Sequence, residues 1–213
     1  MEVHGSCDPK FQPVRQEFER NFRERGEVGA SVCITLQGKT VVDLWGGLAR
    51  ADTAAPEYDS RAAHAAEIGA AGGITNARGL AGMYAPLACG GKSKGVELVN
   101  PATLARMALV SSATGRDAVL VMPTRFALGF MKSMDNRRER PGVQDSVLIS
   151  EDAFGHVGAG GSFGFADPKA AMSFGYTMNR MGPGASLNER GQSLVDATYR
   201  VLGYQSDASG AWK

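Results

Sequence analysis

A chain of 213 residues with 43% hydrophobic and 21% charged content can bury one sizeable core, and a single domain over 1–213 is the simplest organisation. Lysine and arginine number 23 against 22 aspartate and glutamate, a formal charge of +1, so there is no electrostatic case for nucleic acid or an anionic membrane as partner. No apolar run approaches the ~18 residues of a membrane span. Met1 to Ser6 is polar where a signal peptide would be apolar, and Cys7, Cys33 and Cys89 are far apart with no CxxC or Cys/His pairing. A soluble cytoplasmic chain with free thiols, no metal and no cofactor is expected.

Asp8-Pro9 reads as a helix cap followed by proline in the first turn. Phe11, Val14, Phe18 and Phe22 then recur at intervals of three and four, predicting a helix that ends near Gly26. Val28 to Leu36 is rich in Val, Ile and Thr and joins Lys39 to Trp45 through Gln37-Gly38, a hairpin pattern closed by Gly46-Gly47. A polar loop runs from Ala51 to Pro56. Arg61 to Ala71 is Ala-rich, with His64 and Glu67 three apart in a helical stretch; as a metal half-site they lack further histidines, His4 lying in a mobile terminus.

Asn76 supplies a cap for a helix from Ala77 to about Ala88. Cys89 to Gly95 is a basic loop with no GxxxxGK[ST], which excludes a phosphate loop. Asn100-Pro101 starts a short helix carrying Leu104, Met107 and Ala108, and Ser111 and Ser112 read as loop or capping hydroxyls. Ala118 to Met122 and Phe126 to Met131 look like strands on either side of Pro123. Asp135 to Arg140 reads as a surface turn of interleaved charge, Val147 to Ile149 as a short apolar segment, and Ala171 to Asn179 as a strand. Leu187, Leu194, Val195, Tyr199 and Leu202 fit a C-terminal helix despite Gly191. The sum is an α+β fold, an antiparallel sheet flanked by N- and C-terminal helices.

Gly155 to Pro168 packs five glycines, His156 and Ser162 between two strand-like runs. Such density marks either a site where backbone approaches a ligand or a bulge and hairpin turn, and on the residues alone both stand.

An ordered series of motifs carries a family likeness: Asp43-Leu44-Trp45-Gly46-Gly47, Ala71-Gly72-Gly73-Ile74-Thr75-Asn76-Ala77-Arg78-Gly79-Leu80-Ala81, Phe126-Ala127-Leu128-Gly129-Phe130 and His156-Val157-Gly158-Ala159-Gly160-Gly161-Ser162. It resembles the serine beta-lactamase-like hydrolases, in the branch related to class C beta-lactamases and family VIII carboxylesterases. The resemblance implies an α/β domain built from both chain ends, packed against an inserted helical domain. It also implies a cleft holding a Ser-x-x-Lys nucleophile, a Tyr-x-Asn and a Lys-Thr-Gly-like triad on an edge strand. His156-Val157-Gly158 would occupy that triad, with the backbone of Gly158, Ala159 and Gly160 forming part of an oxyanion hole.

The departures are chemical. No serine in the chain has lysine three positions later and no tyrosine has asparagine two positions later. The helical domain and the first motifs look deleted near residues 56–60. Without the lysine no amine takes the serine proton, and family-type acyl-enzyme chemistry should be absent or severely impaired.

Gly160-Gly161-Ser162-Phe163-Gly164 matches GxSxG, but that elbow needs a strand-to-helix turn and a later histidine, whereas a strand-like run follows and no histidine lies beyond Ser162. As catalytic candidates His156 and Ser162 stand six apart, ~20 Å along one extended strand and out of hydrogen-bond reach. The expected function is a carboxylesterase-type serine hydrolase with impaired or absent catalysis, acting on a small ester or amide if active. The alternative is a catalytically dead remnant, a binding module or a homo-oligomer formed through the uncovered sheet-domain surface.

Overall fold

The structure is a computed structural model that describes residues 1–49, 60–69, 72–138, 141–142, 145–184, 186–206 and 210–213. Its centre is a six-stranded sheet. In spatial order the strands are β1 (Val3–Cys7), β3 (Lys39–Gly47), β2 (Gly29–Leu36), β10 (Met172–Met178), β9 (Phe163–Asp167) and β8 (Phe154–Val157), every neighbouring pair antiparallel. The expected hairpin is β2–β3, and its turn residues Gln37 and Gly38 both take positive φ, 51° and 74°, as a two-residue turn matched to strand twist requires.

Period-two alternation divides the sheet into two working faces. Phe163 and Phe165 of β9 and Phe174 and Tyr176 of β10 point to one side, where they form the main core with Phe11, Val14 and Phe18. These last belong to a 3-10 turn (Pro9–Phe11) and to α1 (Gln12–Glu24), so the predicted apolar stripe is the packed one. Leu194, Val195 and Tyr199 of α5 (Glu189–Val201) complete this layer. The opposite face carries small residues, and α3 (Ala77–Ala88) lies directly on them: a Cβ on Gly175 would overlap the Ala77 carbonyl.

Asn76 caps α3 as expected, its Oδ1 accepting from the Gly79 N–H at 3.0 Å. Replacing Asn76 with alanine should cost about 1 kcal/mol of stability in urea denaturation. An unchanged midpoint would mean that packing on the sheet alone seats the helix.

Several expectations are corrected. The N-terminus is the edge strand β1 rather than a mobile tail, and His4 stacks on Trp45 with ring centroids 6.2 Å apart. The helix α2 spans only Arg61–Ala65, so Glu67 lies beyond it and shares no helical face with His64. Within the basic loop, β4 (Lys92–Ser93) and β5 (Val96–Glu97) form a minimal hairpin. The short helix is α4 (Pro101–Ala108), capped by Asn100.

Ser112 opens β6 (Ser112–Thr114), which pairs with β7 (Thr124–Phe126). Residues 118–122 are a turn and not a strand, because Asp117 Oδ1 captures the N–H groups of Val119 and Leu120, each at 2.8 Å. Of Phe126 to Met131 only Phe126 lies in a strand, Met131 making an isolated bridge to Gly155. The junction expected near residues 56–60 lies outside the described residues except for Ser60, as do Ala70 and Ala71, Glu139 and Arg140.

Candidate active site

The glycine-rich stretch is a hairpin at the edge of the sheet. Strand β8 pairs with β9 in the register Phe154↔Ala166, Gly155↔Phe165, His156↔Gly164 and Val157↔Phe163. Between them residues 158–162 close a tight turn: Gly158 N–H donates to the Ser162 carbonyl at 2.7 Å and Gly161 N–H to the Gly158 carbonyl at 3.0 Å. Gly160 and Gly161 hold φ of +83° and +111°, which side chains rarely adopt.

This hairpin corrects the separation expected of His156 and Ser162. Gly158 stands opposite Ser162 and shares a face with His156, so the two candidates lie on adjacent strands as same-face diagonal neighbours, roughly 7–8 Å apart at the backbone. Expecting ~20 Å treated the stretch as one extended strand. The Ser162 hydroxyl lies over Gly158, in the space a Cβ there would fill.

His156 is exposed, and its ring is tilted against Phe126 at 6.2 Å between centroids. Its Nδ1 lies 2.8 Å from its neighbour's carbonyl, that of Val157. A carbonyl only accepts, so Nδ1 is the donor of this bond, and in the neutral ring Nε2 is the acceptor nitrogen. Among the described residues no hydrogen bond joins His156 to Ser162.

Tyr84 of α3 packs against Gly164 on the same face. Burial pushes its phenol up to about 12, with the nearby His156 backbone N–H pulling the other way. It therefore stays protonated near neutral pH, able to donate a hydrogen bond but not to take a serine proton. The cysteines offer no substitute nucleophile: burial raises all three thiols, Cys33 to about 11, so none is a thiolate at neutral pH.

Of the three residues expected to line an oxyanion hole, Gly158 has its N–H engaged by Ser162. The N–H groups of Ala159 and Gly160 find no backbone acceptor among the described residues. At the same end of the sheet an open groove of about 540 Å³ is lined by His4, Ser31, Trp45, Thr75, Thr177 and Asn179 among others. Arg78 stands at its margin, its Nε–H shared between the two Asp43 carboxylate oxygens at 2.8 and 2.9 Å and its guanidinium 4.8 Å over the Trp45 ring. Among the described residues no cluster of three His, Cys, Asp or Glu is placed to hold a metal, and no helix is long and apolar enough to cross a membrane.

Residues 52–199 match the family model described as beta-lactamase. An esterase/beta-lactamase of Mycobacterium tuberculosis, LipL, is 34% identical over 116 residues, covering 54% of this chain and 24% of that protein. The matched stretch is thus about a quarter of that relative's length. Among solved structures, a family VIII carboxylesterase superposes with a TM-score of 0.73 at 21% identity, covering 95% of this chain and 100% of that one. A penicillin-binding protein homolog from Caulobacter crescentus gives 0.72 at 19% identity, with 95% and 100% covered. At these identities the structural likeness is one of fold.

Proposed function

The chain belongs to the beta-lactamase family, and from that premise we propose that it is a carboxylesterase-type serine-hydrolase scaffold that keeps one wall of the active site and lacks the nucleophile. The observation that carries this reading is the β8–β9 turn, where among the described residues the N–H groups of Ala159 and Gly160 have no backbone acceptor and His156 makes no hydrogen bond to Ser162. Two backbone donors of this kind suit the carbonyl oxygen of a small ester or amide. His156 offers Nε2 at the margin of the wall and Tyr84 a neutral phenol behind it. Neither deprotonates a serine hydroxyl in the observed geometry, so the acyl-enzyme step is absent or severely impaired.

A serine-directed fluorophosphonate tests this directly. Intact protein mass after incubation should show no stoichiometric adduct, and a label mapped to Ser162 would overturn the proposal. A second reading, a binding or self-associating module, is favoured by the exposed apolar side chains beside the groove: Trp45, Leu48 and Ile74 are 42%, 66% and 68% exposed. A sedimentation coefficient independent of concentration would count against it.

A further inference from the structure

Besides its own two internal hydrogen bonds, the turn that presents Ala159 and Gly160 is tied to the rest of the fold. The Gly160 carbonyl accepts two hydrogen bonds, from the Gly182 N–H at 2.8 Å and from the side-chain amide Nδ2 of Asn188 at 2.7 Å. Asn188 is buried and is also the N-cap of α5, its Oδ1 accepting from the N–H groups of Arg190 at 3.1 Å and Gly191 at 3.4 Å. One side chain thus uses its acceptor on the helix and its donor on the hairpin.

The surrounding chain is cut away to admit it. A Cβ on Gly161 or on Gly182 would overlap the Asn188 amide nitrogen, and one on Gly191 would crowd the Gly161 carbonyl at 3.3 Å. Helix capping alone does not require this clearance, since a serine or aspartate caps as well. What needs asparagine is the amide donor aimed at Gly160.

We propose that Asn188 is the positioning residue of the β8–β9 turn. It anchors the Gly160 carbonyl to the start of α5 and thereby fixes the turn in which the Ala159 and Gly160 N–H groups have no backbone acceptor among the described residues. This rests on the reading of that turn as an oxyanion-binding wall, although the anchor itself is measurable without any activity. The contact joins residues 28 apart in sequence and places the hairpin relative to the helix layer.

Asn188→Asp separates the two roles, because it keeps the capping oxygen and removes the donor. Amide hydrogen exchange followed by 1H–15N spectra of the full chain should show roughly tenfold faster exchange at Gly158 and Gly161. The resonances of Ala159 and Gly160 should move, and the amides of α5 beyond its first turn should not change. Asn188→Ser, a second capping residue that lacks the amide donor, should behave alike. Turn amides that exchange at the original rate in both variants would overturn the proposal. So would an acceleration spread evenly along α5, since lost capping would then explain it. A fluorophosphonate adduct on Ser162, which would overturn the functional reading, leaves this measurement intact.

Discussion

A chromogenic short-chain ester should be turned over by this chain roughly 10⁶-fold more slowly than by a serine hydrolase with nucleophile and base in place. Ser162→Ala and His156→Ala should leave the residual rate where it was. The expectation follows from proton bookkeeping at the hairpin. A serine hydroxyl attacks an ester only as its proton leaves, and the acceptor must stand within hydrogen-bond reach. The family's acceptor is a lysine one helical turn from the serine, and no serine here has it. Among the described residues no hydrogen bond joins His156 to Ser162, and burial pushes the Tyr84 phenol up to about 12, so it holds its proton.

What remains is the backbone of the turn. Backbone donors can polarise a carbonyl for attack by water, but they supply only the part of the rate that survives loss of the catalytic side chains. A rate that drops tenfold or more in His156→Ala, measured with the same ester at neutral pH, would show that the imidazole acts as a base and would refute the expectation.

Much of the fold was legible because its signals are local. The Phe11, Val14, Phe18 stripe, the Gln37-Gly38 turn and the Asn76 and Asn100 caps each state their structure within a few residues. The misses arise where a contact outside the window wins. Strand β1 has only Val3 buried, so no alternation announces it, and it exists by pairing with β3. Ala118 to Met122 has the composition of a strand, but the single carboxylate of Asp117 folds it into a turn. Counting along one strand separates His156 from Ser162, whereas Gly160 and Gly161, both at positive φ, turn the stretch into a hairpin.

The anchoring of that hairpin could be read only in part. Asn188 followed by Glu189 is a helix-start signal, but nothing near it points to Gly160. The paired glycines at 160–161 and the one at 182 hint at a close approach without naming the partner. Beyond Asn188, the pair Glu27 and Arg190 lies 163 residues apart and has no sequence signature at all. Both partners of this pair are buried.

Arg190→Met should destabilise the fold by about 3–5 kcal/mol near neutral pH, the cost of leaving a buried charge without its partner. The Glu27 side chain is fully buried, with Arg190 Nη1 at 2.9 Å from one oxygen and the Tyr176 hydroxyl donating to the other. Arg190 Nη2 also donates to the Arg180 carbonyl at 2.8 Å, and its own carbonyl accepts from Asn21 of α1 at 3.0 Å. Removing the guanidinium therefore unpairs a carboxylate and loosens the loop that carries Gly182 to the hairpin.

The pH dependence has a definite sign. Burial already pushes the Glu27 carboxyl above its ordinary value, against the pull of Tyr176 and Arg190, and losing Arg190 raises it further. A carboxyl whose folded pKa is raised contributes stability that is complete below its unfolded value of 4.5 and is lost as pH rises through the folded value. The deficit of Arg190→Met should thus shrink as pH falls from neutral toward 4.5 and be largest above the raised value. The double variant Glu27→Gln with Arg190→Met should recover most of the loss at neutral pH, since it removes the charge rather than the partner. Urea denaturation at several pH values reads all three quantities. An Arg190→Met protein within about 1 kcal/mol of the original at neutral pH, or a deficit that does not diminish on acidification, would show that the buried pair does not hold this corner of the fold.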